Sequence, residues 1–454
     1  MTSMEYRRLI ACHECDLLLR KPASVGARVA SCTRCAAKLG ALADGGASLD
    51  GICAMTLAAL IAFCIAQAFP VIELRANGVT SEATLFGAVR SLWSGEMCMV
   101  AAMVFCSSTV FPLIELMAFL YLLVPLRIGR VPPRFNRVLR VVQLVRPWCM
   151  VEVFMLGVLV TIVKMVSIAD VIAGPGLFAL AGLTVMLAIV ASFDPGRLWA
   201  VHERLTSARR TGIRWSKVEG RRERFMRMQP VREPARSSAV TAQRAGLVGC
   251  HACGLVQAHA EGRTRQRCSR CGHLLHRRHA DSLTRTTSLL LAAVFAYIPA
   301  NLLPIMHAST LGRFEDDTIL GGVAYFWSSG DWPLAVVVFI ASVLVPMLKL
   351  AVLALLTLTA RRGSAWRPRE CTVLYRLVER IGRWSMLDVF VVALTVTLVH
   401  FGSFAVITAG PAALAFAAVV ILTMLASHQF DSRLIWDSVD AARHRARTDR
   451  PGVR

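Results

Sequence analysis

Eight stretches of this sequence, each about 20 residues long, are too apolar to lie against water. They run at about 51–70, 97–124, 149–170 and 174–193, and again at about 285–304, 331–359, 385–406 and 410–427. A hydrocarbon core of ~30 Å takes roughly 20 apolar residues as a helix. Helices satisfy their own backbone groups where water is absent. The expected class is an all-α polytopic membrane protein with eight spans. The third and fourth runs of each half nearly touch, and are divided by "AGPG" at 173–176 and "AGPA" at 409–412, where proline after glycine breaks a helix. Composition enters through charge. Hydrophobic residues make up 56% and charged residues only 18%, yet the formal net charge is +22. The charge must therefore sit between the apolar blocks, which excludes an ordinary soluble globule.

Those basic blocks set the orientation. Segment 125–147 carries Arg127, Arg130, Arg134, Arg137, Arg140 and Arg146 with no acid, and segment 361–383 is similarly arginine-rich. The loops at 71–96 and 305–330 hold few arginines and more acids. With eight spans, every basic segment falls on the cytoplasmic side and so do both termini. No apolar run precedes Cys12, so insertion is expected to use the mature helices rather than a cleaved signal.

The halves repeat at an offset of about 234–238. "VFPLIEL" at Val110 matches "LVPMLKL" at Leu344, and "RPWCMVEVF" at Arg146 matches "GRWSMLDVF" at Gly382. Each half is led by a cysteine pattern: Cys12, Cys15, Cys32 and Cys35, then Cys250, Cys253, Cys268 and Cys271. C-x-x-C, a loop, then C-x-x-C is zinc-ribbon spacing, in which two turns present four thiolates as a tetrahedron. Four thiolates leave no open position, so the two sites are expected to be structural Zn2+ sites, although a rubredoxin-like iron takes the same ligands. His13 and His251 lie inside the first turn of each pattern and are surplus to the ligand set. The expected organisation is a ribbon at 1–48, a four-helix module at 49–199, a basic linker at 200–246, a second ribbon at 247–284, a second module at 285–437, and a basic tail at 438–454. Each ribbon is expected to brace its own module.

Ionisable residues inside a span are costly and therefore functional candidates. Glu115 and its counterpart Lys349 follow Pro112 and Pro346, which are expected to kink the second helix of each half. Glu152 and its counterpart Asp388 stand in the first turn of the third helix, and Lys164 and His400 twelve residues further on. Lys349 and Asp388 would make a buried ion pair if they face one another. A packing kink and a headgroup-level acid are the plainer readings of these prolines and of Glu152. Trp93 and Trp327 suit anchoring at the outer interface, with "W-S-x-G" as a short interfacial helix. No G-x-x-x-x-G-K-[ST], no H-E-x-x-H and no Ser/His/Asp constellation is present, so no enzymatic activity is expected. The basic linker suits anionic lipid headgroups, and nucleic acid is not an expected partner.

The doubled ribbons, the proline-bearing second helix, W-S-x-G, the A-G-P break and "RPWCMVEVF"/"GRWSMLDVF" together resemble the paraquat-inducible protein A (PqiA) family, with its relative LetA. The likeness runs from Cys12 to Trp436. It implies a multi-pass protein of the Gram-negative inner membrane, with cytoplasmic ribbons and a periplasmic MCE-type tunnel partner, moving phospholipid between membranes and supporting outer-membrane integrity. Proton coupling through the intramembrane ionisable groups would fit that role. A scaffold or insertion factor with structural ribbons, and a membrane redox protein with iron in them, are the competing readings.

Overall fold

The computed structural model describes residues 9–20, 31–39, 49–76, 79–94, 97–166, 170–193, 198–199, 201–202, 205–206, 240–259, 266–278, 281–310, 313–330, 332–364, 366–398, 400–401 and 405–448. Most of the linker expected at 200–246 lies outside the described residues, as do 449–454.

The first ribbon pairs β1 (Leu9–Ala11) with β2 (Leu18–Arg20). Helix α1 (Leu49–Ala68) then leads into a β-hairpin of β3 (Ile72–Ala76) and β4 (Val79–Ala83). A short helix α2 (Leu85–Ser94) carries Trp93. The second membrane helix is α3 (Cys98–Phe105), a π-helical turn at Cys106–Val110, and α4 (Phe111–Arg127). Helix α5 (Phe135–Val145) is amphipathic and ends in a 3-10 turn at Arg146–Trp148. Helix α6 (Val151–Val166) follows, then β5 (Asp170–Ala173), which pairs with β3, and α7 (Pro175–Ser192).

The second ribbon holds β6 (Leu247–Gly249), β7 (Val256–Ala258), β8 (Gln266–Arg267) and β9 (Leu274–Leu275). The second half repeats the first: α8 (Ser282–Leu302), β10 (Met306–Thr310), β11 (Arg313–Asp317), α9 (Ile319–Ser328) and α10 (Trp332–Phe339). A π-helical turn at Ile340–Leu344 leads to α11 (Val345–Arg361) and the amphipathic α12 (Pro368–Ile381). A 3-10 turn (Gly382–Met386) then starts α13 (Leu387–Leu398), followed by β12 (His400–Phe401), β13 (Ala405–Ala409), α14 (Pro411–Gln429) and α15 (Arg433–Thr448).

Among the described residues, seven helical runs are long and apolar enough to cross a membrane: Leu49–Ala68, Cys98–Arg127, Phe135–Val163, Pro175–Ser192, Ser282–Leu302, Ala335–Arg361 and Pro411–Gln429. This is a multi-pass membrane protein. Its outer surface is inverted relative to a soluble fold: Phe178 is 70% exposed and Phe295 is 71% exposed, a surface stable only against lipid. The eighth expected run, 385–406, is not one continuous helix. It becomes the 12-residue α13 and then strand β12.

Two small sheets cap the end of the molecule opposite the ribbons. Their strand orders are β4-β3-β5 and β11-β10-β13-β12. They explain the A-G-P breaks. A Cβ on Gly174 would lie 2.2 Å from the Pro70 carbonyl oxygen, and one on Gly410 would lie 2.2 Å from that of Pro304. Only glycine lets the strand leave the sheet and enter the next helix at that approach. The Gly410 N–H donates to Ile305 O at 2.8 Å, which fixes the turn.

The prolines of the second helix are handled by a change of helical register. The Phe111 N–H bonds Cys106 O and the Val345 N–H bonds Ile340 O, five residues back, immediately before Pro112 and Pro346. Proline lacks an N–H and crowds the preceding turn, and the wider π turn makes room for it. Serine hydroxyls cover the disturbed carbonyls: Ser108 donates to Val104 O at 2.7 Å and Ser342 to Val338 O at 2.6 Å.

Candidate metal centres and buried charges

Each ribbon gathers its four thiols as the spacing requires. Cys12 Sγ lies 3.5 Å from Cys35 Sγ and Cys15 Sγ lies 3.5 Å from Cys32 Sγ. In the second ribbon Cys250 and Cys271, and Cys253 and Cys268, stand at 3.5 Å as well. All eight are buried and none forms a disulfide. A tetrahedron of thiolates around an ion at ~2.3 Å has edges of ~3.8 Å, so each group fits one metal ion. The backbone builds each turn identically. Cys12 N–H donates to Leu17 O and Cys250 N–H to Leu255 O, both at 2.9 Å. The residue after each second cysteine takes a left-handed conformation: Asp16 at φ 60°, Ala36 at 57°, Gly254 at 67° and Gly272 at 70°. His13 is not a ligand; its side chain is 58% exposed and lies 3.5 Å from Glu14.

The ribbons are crossed. The first ribbon's cysteines belong to one apolar cluster with Leu290, Leu353, Tyr375 and Trp436 of the second half. The second ribbon's cysteines pack with Phe119, Phe135, Leu139 and Trp199 of the first half. Polar contacts follow the same rule. Arg376 of α12 donates to the carbonyls of Cys35 and Ala36. Asn136 and Gln143 of α5 donate to Arg270 O at 3.2 Å and Ala252 O at 2.8 Å. Arg34 pairs with Asp440 of α15 and lies 4.5 Å over the Trp436 ring. Arg278 of the second ribbon is an exception: it holds Asp437 of α15, in its own half, at 2.6 Å and Asp16 of the first ribbon at 3.4 Å. In its apolar packing each ribbon thus braces the opposite module, against the expectation from their order in the chain.

Two of the intramembrane candidates are fully buried: Glu115 at 3% and Lys349 at 2% exposure. Arg146 Nε lies 3.7 Å from Glu115 Oε1, and its guanidinium also donates to Ala191 O and Phe193 O at the end of α7. Lys349 has a different setting. Its Nζ has no hydrogen-bond partner among the described residues. Glu152 is exposed in the first turn of α6. Lys164 lies in the last turn of α6 and Asp388 in the first turn of α13, but their side chains lie outside the described residues, so the pairing of Lys349 with Asp388 does too. His400, expected deep in a span, is instead on β12 opposite Val406, at the sheet end. Arg146 and Arg376, both from the arginine-rich segments that signal orientation, are anchoring residues. Nothing in those segments distinguishes these two arginines from their neighbours.

The family model described as paraquat-inducible protein A matches residues 49–203 and 283–440. The Intermembrane transport protein PqiA of Escherichia coli (strain K12) is 33% identical over 438 residues, covering 96% of this chain and 97% of its own length. The Lipophilic envelope-spanning tunnel protein A of the same strain is 31% identical over 442 residues, covering 97% and 93%. A Probable intermembrane transport protein of Haemophilus influenzae is 30% identical over 447 residues, covering 95% and 97%. No solved structure matches the chain. With two repeats of the family model spanning both helical halves, this chain belongs to the paraquat-inducible protein A family.

Proposed function

We propose that this protein is the inner-membrane subunit of an intermembrane phospholipid transport system, exchanging lipid with a periplasmic tunnel protein of the MCE type. The names of its relatives support intermembrane transport. The observation that carries the reading is the burial of Glu115 and Lys349 in otherwise apolar helices. Charge at that depth is costly and marks the route of a polar group through a membrane protein. A phospholipid headgroup is such a group.

In this reading the ribbon end faces the cytoplasm, since α5 and α12 carry the arginine clusters, and the two sheets face the periplasm and dock the tunnel. The chain crosses eight times. The short crossing runs through 382–398, a 3-10 lead plus α13, at the low end of the ~17–25 residues a span takes. Zinc fills both ribbons, held by Cys12, Cys15, Cys32 and Cys35 and by Cys250, Cys253, Cys268 and Cys271. Bound there it supplies folding energy rather than chemistry. Proton coupling through the buried ionisable groups Glu115 and Lys349 supplies the energy for transport.

The test is transfer of a fluorescent phospholipid from vesicles holding this protein, with its tunnel partner, to acceptor vesicles. The Glu115→Gln, Lys349→Met pair should lower transfer at least tenfold, and transfer should collapse with the pH gradient. Transfer no faster than from vesicles lacking the protein overturns the transport reading in favour of a scaffold, and unchanged transfer in the double variant removes the two buried charges as its route. Visible absorbance from ribbon-bound iron would instead favour a redox protein.

A further inference from the structure

A cavity of about 740 Å³ opens between the two helical halves and the first ribbon. Its size is that of a ligand site, within the ~300–1,000 Å³ usual for one. Five cations line it: Lys38 from the ribbon, Arg146 from the first half, and Lys349, Arg376 and Arg380 from the second. Glu14 and Glu379 are the carboxylates on its wall. Part of this charge is already engaged. Arg146 is tied to Glu115 and to the end of α7, and Arg376 to the ribbon carbonyls. Lys349 is not. It is 2% exposed, it lines the cavity, and its ammonium lacks an acceptor among the described residues.

The repeat explains how this came about. In the first half the equivalent position is Glu115, and Arg146 answers it at 3.7 Å. In the second half the acid is a lysine and the arginine is Gly382. A Cβ there would stand 3.0 Å from both Lys349 Cε and Nζ. Among the described residues, the second half has therefore exchanged an internal ion pair for a buried cation without an acceptor. A buried ammonium without acceptors costs several kcal/mol. An anion in the cavity supplies those acceptors.

We propose that this cavity is an anion site for a phosphate group, with Lys349 at its floor and Arg146, Arg376, Arg380 and Lys38 around its mouth. Ala191, Val378 and Met424 give the same wall an apolar margin. The ribbon end of the helices carries the cavity, opposite the sheets. Two phosphate sources share the chemistry, the headgroup of an anionic phospholipid in the leaflet on that side and a soluble phosphate. Only the first rests on the lipid reading above.

The experiment uses the full chain with its metal retained. In the lipid arm, the protein is released from nanodiscs of phosphatidylethanolamine and phosphatidylglycerol, and retained lipid is counted by native mass spectrometry. In the soluble arm, inorganic phosphate is titrated onto protein in neutral detergent. One saturable phosphatidylglycerol per chain, retained about tenfold less by Lys349→Met and restored by Lys349→Arg, establishes a headgroup site. Saturable inorganic phosphate with the same variant pattern, and no selective lipid, establishes a soluble-anion site. Lys349→Met removes a buried charge that has no acceptor among the described residues, so it is expected to fold at least as well as the parent. Equal retention by parent and Lys349→Met in both arms, or no saturable binding in either, overturns the proposal. Neither arm measures transfer, so failure here is distinct from failure of the transport reading.

Discussion

Gly382 stands where the first half places Arg146, and the Lys349 side chain occupies the room beside it: a Cβ on Gly382 would meet Lys349 Nζ at 3.0 Å. The obstacle is the far end of a flexible side chain. Gly382→Ala should therefore cost less than about 1 kcal/mol, with Lys349 shifting by a few tenths of an ångström. Gly410→Ala meets a backbone carbonyl oxygen at 2.2 Å instead. That cannot move without tearing β10 from β13, so about 3 kcal/mol or more should be lost. Thermal unfolding midpoints of the two variants in the same detergent give the ranking. Equal midpoints would remove the close approach as the reason for the A-G-P glycine.

The crossed ribbons give a prediction that chain order alone would reverse. Cys15→Ser should unfold the first ribbon and expose α12 and α15 of the second half, while α5 stays protected. Cys253→Ser should do the opposite, exposing α5. Arg376, Asp440, Asn136 and Gln143 are the contacts at stake. Hydrogen–deuterium exchange of peptides covering 135–145, 368–381 and 433–448 reads it directly. Exposure of the helix on the same half as the mutated ribbon would refute the crossing.

Much of this arrangement was legible beforehand. The C-x-x-C spacing placed all eight thiols, because a four-thiolate site constrains a local turn and little else. The apolar runs placed most of the helices for the same reason: length and hydropathy are local properties. The two sheets were missed. Their signal was present at "IELRANGVTSEA", where Asn77-Gly78 between alternating runs marks a two-residue hairpin, but the apolar runs on either side led it to be read as a loop. The end of the span at 385–406 differs because β13 is itself apolar and β12 is only two residues long, and hydropathy does not separate a short strand from a helix end. The crossing of the ribbons could not be read at all. It depends on which amphipathic face meets which ribbon, and both faces have similar composition.

Metal content should follow the two thiol clusters. Denaturing the protein in the presence of a chromogenic chelator should release two metal ions per chain, one for each four-cysteine group. Chelation without denaturant should expose both ribbons to protease near Cys12 and Cys250 and leave the far-ultraviolet helical signal nearly intact, since the helices are held by apolar packing and their own backbone bonds. One ion per chain would mean that one ribbon is held by packing alone.

Removing strain in the first ribbon should stabilise it. Ala36 holds φ 57° where the second ribbon's equivalent, Gly272, holds 70°. A left-handed alanine costs roughly 1 kcal/mol that glycine does not pay. Ala36→Gly should thus slow metal loss from the first ribbon severalfold and leave the second unchanged. Asp16 is a poorer site for the same change, because its carboxylate also accepts from Gln243 N–H at 3.1 Å and faces Arg278. Metal-release kinetics resolved by ribbon provide the check.

The junction between α14 and α15 should be acid-labile. Asp431 is buried, which works to raise its pKa, but the hydrogen bonds and charge of Arg433 hold the carboxyl below its ordinary value. The pair is bidentate: Asp431 Oδ1 accepts from Arg433 Nε and Oδ2 from Nη2, both at 2.8 Å. A depressed folded value means the folded state resists protonation more than the unfolded chain does. The stabilisation is therefore complete above the ordinary carboxylate pKa and is lost as pH falls through the lower, folded value. Asp431→Asn removes it at every pH and strands a buried guanidinium, at a cost of about 3 kcal/mol or more. Protease cleavage within 433–448 should then be slow in the parent down to mildly acid pH, faster below it, and fast throughout in Asp431→Asn. A parent whose cleavage rate tracks pH upward instead would put the sign of the linkage, and the role of Arg433, the wrong way round.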